Sequence, residues 1–190
     1  MSSLTLENLN KEDFINDCLA EALILLMKEK PYDQIGIKEL AMKAGIGRAT
    51  FYRRFDSKDA LLTYKIARLV IDWWVSIYDR EQESSEYTVE MLQFILDNKS
   101  FFRLLDRRDK LNLFINYLSD SAGPAPGDDG PTAYKKLIRL YAFYGLLREW
   151  IRQGYKESPQ VLADVLLESM AGIKEGDYHD LWSAISEIKG

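Results

Sequence analysis

Apolar residues recur at steps of three and four along most of the chain. Phe14, Cys18, Leu19, Ala22, Leu25 and Leu26 form one such stripe and predict a first helix. Asn10 with Asp13 three residues on is a weak variant of the capping box, so that helix is expected to begin after Asn10. It should stop near Lys30, because Pro31 disfavours helical geometry in the residue before it. A second stripe, Leu62, Ile66, Leu69, Trp73 and Ile77, predicts a long helix starting after Ser57 and fading in the polar run 79–85. Residues 89–96 read as another helix, and 101–118 as one or two more.

Residues 119–131 break the pattern. Six of these thirteen are Gly or Pro, which predicts a long irregular loop. Two apolar helices follow, at about 132–153 and 159–170, with Ser158 capping and Pro159 in the first turn. No alternating, β-branched run bounded by turns occurs anywhere, so the chain is expected to be all-α.

Composition narrows the class. Of 190 residues, 47% are apolar and 29% charged, a globular balance rather than a disordered one. No stretch is long and apolar enough to span a bilayer, and residues 1–10 do not read as a secretory signal. A single cysteine, Cys18, suits a reducing cytoplasm, and a single histidine, His179, excludes a multi-histidine metal site. The net charge of −5 is unevenly spread. Between Lys30 and Lys65 stand eight basic residues and four acids, a local balance of +4 that leaves −9 for the rest. Such a basic island fits a nucleic-acid footprint, although a merely solvated charged face has the same composition.

The island surrounds two short helical patterns, 38–44 and 48–54, joined by the turn Gly45-Ile46-Gly47. Leu40, Ala41, Ile46, Phe51 and Phe55 can close a small core. Opposite that core the second pattern presents Arg48, Thr50, Tyr52 and Arg53. This is the plan of a helix-turn-helix, whose second helix enters the major groove.

The segment 14–69 resembles the N-terminal DNA-binding domain of the tetracycline-repressor (TetR) family of bacterial regulators. The resemblance rests on Ile37-Lys38-Glu39-Leu40-Ala41, Ala44-Gly45-Ile46, Thr50-Phe51-Tyr52-Arg53-Arg54-Phe55 and Ser57-Lys58-Asp59-Ala60-Leu61. The string Thr-Phe-Tyr-x-x-Phe followed by Ser-Lys is specific to that family. Phe143-x-Gly145 and Trp150-x-x-x-Gly154 before Ser158-Pro159 extend a looser likeness to its helical C-terminal domains. Gly36 and Gly47 depart from the pattern, since many members carry hydroxyl residues there. A glycine can cap a helix but offers no hydroxyl to a phosphate.

The resemblance implies a helix-turn-helix domain over 1–60 and a helical regulatory and dimerisation domain over 61–190. Arg48 would reach a guanine edge or a phosphate, and Thr50 a thymine methyl or a phosphate. Tyr52 and Arg53 would contact backbone or groove, Lys58 would sit on a phosphate, and Lys38 is a further candidate. Phe51 and Phe55 belong to the core. The last two long helices would pair with their two-fold mates through Leu137, Tyr141, Tyr144, Arg148, Ile151, Leu162, Val165, Leu166 and Met170. Gly145 in mid-helix suggests close helix approach. The partners implied are a double-stranded palindromic operator and a second copy of the chain, with no membrane and no cofactor.

The middle of the chain is aromatic, and the resemblance implies an effector pocket there. Its expected lining is Trp74, Tyr78, Phe94, Phe102, Tyr117 and Tyr144, with plain core packing as the alternative for each. Asp97, Asp106 and Asp109 are acids that a cationic effector would meet, or that simply face water. No catalytic constellation emerges. Gly45-Ile46-Gly47-Arg48-Ala49-Thr50 imitates the start of a dinucleotide fingerprint, but no strand precedes it and Thr50 replaces the third glycine. The expectation is a cytoplasmic homodimeric repressor released by a small-molecule effector. The alternative is an effector-independent activator or a protein-binding co-regulator on the same fold.

Overall fold

Proline, glycine and a few capping residues decide where the helices break. The computed structural model describes residues 3–77 and 84–172, and among them every regular element is helical. The order is α1 (Ser3–Glu29), a single 3-10 turn (Tyr32–Gln34), α2 (Ile37–Lys43), α3 (Arg48–Tyr52), α4 (Lys58–Ile77), α5 (Ser84–Asp97), α6 (Lys99–Arg107), α7 (Leu111–Ala122), α8 (Gly130–Arg152) and α9 (Pro159–Gly172). Tyr78 and His179 lie outside the described residues.

Several boundaries differ from the sequence reading, among them the start of α5, which lies at Ser84 rather than near 89. Helix α1 starts at Ser3, so Asn10 lies inside it rather than at its start. No Gly or Pro stands between Ser3 and Asn10 to stop the helix propagating upstream. The predicted loop at 119–131 shrinks to 123–129. At its start α7 continues to Ala122, and at its end α8 begins at Gly130, with Pro131 in the first turn. Asp129 caps α8 by accepting a hydrogen bond from the Thr132 amide at 2.9 Å, and a proline there costs no backbone bond. What remains of the loop is pinned. The Asp128 carboxylate accepts from the Ala125 amide and pairs with Lys136, both at 2.7 Å.

The helices α1 to α3 and the start of α4 form a head, and α4 to α9 a body. Helix α1 packs on α2 and α4, and α2 on α3. In the body α4 packs on α7, α7 on α8, α5 on α9, and α6 against α5, α7 and α8. One buried apolar cluster runs through both parts. It passes from Leu40, Phe51 and Phe55 through Leu62 and Ile66 to Phe102, Phe114 and Trp150.

Helix α1 shows why a single stripe underdescribes it. From Leu19 to Met27 all residues but Glu21 and Leu25 are buried, because head and body both pack on this half. Phe14, the first residue of the predicted stripe, is 67% exposed instead. Leu137 and Leu166 are half-buried, while Ile151 and Leu162, expected at a dimer interface, are buried in the protomer's own core. Ile151 faces inward on α8 beside Leu147 and Trp150, and Leu162 on α9 beside Ala163.

Candidate nucleic-acid interface

The turn between α2 and α3 is closed by backbone alone. Gly45 adopts a left-handed φ of 68°. Its amide donates to the Met42 carbonyl at 3.1 Å, and the Ile46 amide to the Ala41 carbonyl at 2.9 Å. This double bond pattern satisfies the last carbonyls of α2 and turns the chain sharply into α3. Leu40, Ala41, Phe51 and Phe55 are buried beneath, with Ile46 packed against them. Phe51 and Phe55 stand 6.1 Å apart, and Phe55 meets Tyr64 edge-on at 5.7 Å. Phe51 on α3 and Phe55 just beyond it therefore fix one side of the segment, while Arg48, Tyr52 and Arg53 are exposed.

The eight basic residues of this region divide into two groups. Five are tied to the head's own atoms. Lys30 pairs with Glu39 at 2.6 Å, Lys43 with Glu29 at 2.7 Å and Lys65 with Glu21 at 2.6 Å. Arg54 donates to the Asn16 side-chain oxygen at 3.2 Å. Lys58 donates to the carbonyl oxygens of Tyr32 and Ile35, each at 2.7 Å. The other three, Lys38, Arg48 and Arg53, are exposed.

On α3 the exposed cations are held by neighbours one turn away. Arg48 Nη2 donates to the Tyr52 hydroxyl at 3.3 Å, with its guanidinium 5.4 Å from the ring centre. Arg53 Nη2 donates to the Thr50 hydroxyl at 3.0 Å. Each pair lays a planar guanidinium along the helix surface, a geometry suited to guanine edges and phosphates. The structure thus brings Arg48, Thr50 and Tyr52 together on one short helix, with Arg53 at its C-cap. Lys38 stands apart on α2, where Met42, one turn on, is 73% exposed.

Lys58 departs most from its expected role. Two of its three N–H donors are committed to carbonyls of the 3-10 turn, and its ammonium lies 4.5 Å from the centre of the Tyr32 ring. Burial pushes its pKa down, partly countered by Asp33 and Asp59. Burial also raises the Asp59 carboxyl, but hydrogen bonds from Tyr32 and Lys110 outweigh it and hold the group below the usual carboxylate range. Tyr32 itself is shifted upward by burial and by its bond to Asp59.

Residues 19–64, which hold the α2–turn–α3 unit and the start of α4, match the family described as "Bacterial regulatory proteins, tetR family". The chain carries a TetR-family DNA-binding domain. It is a DNA-binding transcriptional regulator whose TetR head is followed by a helical C-terminal region. A solved structure titled "Dihydroxyacetone kinase operon activator DhaS" is similar at 21% identity, with a TM-score of 0.48 over 83% of this chain and 94% of that one. No curated protein matches the chain.

Beyond the TetR head, a cleft of about 320 Å³ opens between α4 and α5. Leu69, Trp73, Ile77 and Phe94 supply its apolar wall, and Asp72, Glu90 and Asp97 its carboxylates. Of the five expected pocket residues that are described, Phe94 lines it and the other four do not. Phe102 is buried in the core, edge-on to Phe94 and Phe114. Trp74 faces outward and stacks on Tyr87 at 6.0 Å. Tyr117 and Tyr144 are half-buried elsewhere. Trp73, expected in the α4 stripe but not in the pocket, lines the cleft, and its indole N–H is buried with no hydrogen-bond partner among the described residues. Its place in the α4 stripe marked it as core, and nothing local signalled that its polar edge lacks a partner. No helix among the described residues is long and apolar enough to cross a membrane.

Proposed function

We propose that this TetR-type regulator is a repressor that binds a palindromic operator as a homodimer and is released by a small-molecule effector. The division of labour would be residues 1–60 for reading DNA and 61–190 for dimerisation and control. The observation that carries the DNA reading is the partition of the basic island. Five cations stabilise the head, which leaves Arg48 and Arg53 on the reading helix and Lys38 beside it. Arg48, Thr50, Tyr52 and Arg53 form the reading face, and Lys38 adds a phosphate contact. Lys58 serves this face from beneath by fixing the 3-10 turn.

Dimerisation is supported by an apolar stripe on α8. Tyr134, Ile138 and Tyr141 are 67%, 54% and 61% exposed, at steps of four and three, and Gly145 continues the line. Outside its own helix backbone, a Cβ at Gly145 would meet no atom of the described residues within 4 Å, which leaves room for a partner helix. Arg148 follows on the same line, and Val165 and Met170 extend the surface onto α9 beside Val161. An isologous contact of this kind relates two heads by a two-fold axis and demands half-sites with the same symmetry.

The place for an effector would be the α4–α5 cleft, which is open to solvent and at the small end of the range of ligand sites. A second reading, a co-regulator controlled by a protein partner, draws support from the closed aromatic core around Phe102. It also draws on the exposed Ile71, Trp74 and Val75 on α4. The test for both is a thermal-shift screen of small organic molecules, followed by release of bound DNA. A compound that stabilises the wild type, frees DNA and fails on Phe94→Ala supports the effector. If no compound does so while Val75→Glu abolishes regulation in cells, the partner reading replaces it.

A further inference from the structure

Arg108 and Lys110 carry charges in the body, yet both bond to the head. They flank Asp109 in the corner between α6 and α7. Arg108 Nε donates to the Met27 carbonyl at the end of α1, at 2.7 Å. Lys110 pairs with Asp59 at the start of α4, at 3.1 Å, and its ammonium lies 4.4 Å from the centre of the Tyr32 ring. The Tyr32 hydroxyl donates to Asp59 at 2.6 Å. One corner of the body therefore holds three elements of the head: α1, the 3-10 turn and α4.

The corner is built to keep its shape. Asp109 takes a left-handed φ of 54°, and its amide donates to the Asp106 carbonyl at 3.0 Å. The Lys110 amide closes on the Leu105 carbonyl at 2.8 Å. On either side Leu104, Leu105 and Leu111 are buried in the body. Arg108 and Lys110 are thus set on a rigid, core-anchored bend rather than on a free loop. Neither lies on the α3 face. Helix α4 and the apolar cluster run through both head and body and join them, and the bonds from the corner add fixed polar contacts to α1, the 3-10 turn and the start of α4. Charged bonds with fixed geometry define an angle.

We propose that Arg108 and Lys110 are positioning residues for DNA recognition. The α6–α7 corner locks the angle of each head on its body, and thereby the separation of the two heads in the dimer. The inference rests on the homodimeric DNA-binding reading above.

The test compares two duplexes: the tightest one the wild type selects from a random-sequence pool, and the same duplex with one half-site scrambled. Lys110→Met keeps the aliphatic stem and removes the cation. Paired with Arg108→Gln, it should weaken binding to the full duplex about 10-fold, because two heads of unfixed spacing lose effective concentration for the second half-site. Binding to the scrambled duplex should stay within about two-fold of wild type. Lys110→Arg should keep full affinity. Spin labels at Lys28→Cys, in a Cys18→Ser background, should report a broader head-to-head distance distribution in the double variant.

Equal weakening on both duplexes would mean that the two residues keep the head folded rather than aimed, and would overturn the proposal. So would wild-type affinity on both with an unchanged distance distribution. If the wild type selects no two-part duplex, the DNA or dimer reading fails first and takes this proposal with it.

Discussion

Replacing Lys58 by Met separates two roles that its position allows, a phosphate contact and an internal clamp. The substitution keeps most of the stem and removes the ammonium that bonds the Tyr32 and Ile35 carbonyls. Two ammonium–carbonyl bonds at a half-exposed site contribute about 1.5 kcal/mol each. The Tyr32 ring contact adds about 0.5 kcal/mol. Desolvation of the ammonium, seen in its lowered pKa, and rehydration of the carbonyls offset part of this. The net loss expected is about 2 kcal/mol. Urea unfolding at matched protein concentration reads it directly, since dimer linkage makes stability concentration-dependent. Salt titration of DNA binding reads the alternative, because each lost phosphate contact lowers the slope of log K against log salt by about 0.9. The expected result is a destabilised protein whose salt slope is unchanged. Stability within about 0.5 kcal/mol of wild type, together with a slope reduced by about one contact, would refute the clamp.

Three further outcomes follow from the head and the α8 stripe. Asp59 is held below its ordinary pKa, so its carboxylate stabilises the head above the unfolded value near 4, and that contribution is lost as pH falls through the folded value. Asp59→Asn should therefore be less stable than wild type at pH 7 and lose less on acidification; an acid transition as steep as the wild type's would count against this. Gly45→Ala places a Cβ at φ 68° in otherwise open space, so it should cost only about 1 kcal/mol of backbone strain, measured by thermal melting. Ile138→Asp should yield a folded monomer by sedimentation and weaken binding to a palindromic duplex far more than to a half-site. A dimer that survives this change would place the interface elsewhere.

Much of the fold was legible because helical periodicity and glycine or proline punctuation are local. The α2–turn–α3 unit shows this best, since Gly45, the buried Phe51 and Phe55, and the exposed arginines all follow from spacing within twenty residues. Where the readings missed, the cause lies in distant contacts. Lys58 looks like an outward cation until the 3-10 turn, 23 to 26 residues earlier, folds its carbonyls over it. Arg108 and Lys110 find partners 81 and 51 residues away, and no local pattern announces that. Ile151 and Leu162 sit on helices apolar on more than one side, and spacing cannot say which side the protomer uses. Leu137, Tyr144 and Leu166 are half-buried for the same reason. The pocket residues were chosen for aromaticity, yet the cleft is walled by both aromatic and acidic residues of α4 and α5.

The central claim is that the exposed face of α3 reads DNA as one half of a two-fold pair. Selection of random-sequence duplexes by the purified protein, read by sequencing and repeated with Arg48→Ala, tests it most directly. The wild type should recover a palindrome with half-sites one or more helical turns apart. The variant should bind it more weakly and lose preference at one position in each half, at a cost of about 1–3 kcal/mol. Recovery of no sequence above background at moderate salt, or of the same palindrome with undiminished preference by both proteins, would contradict the claim.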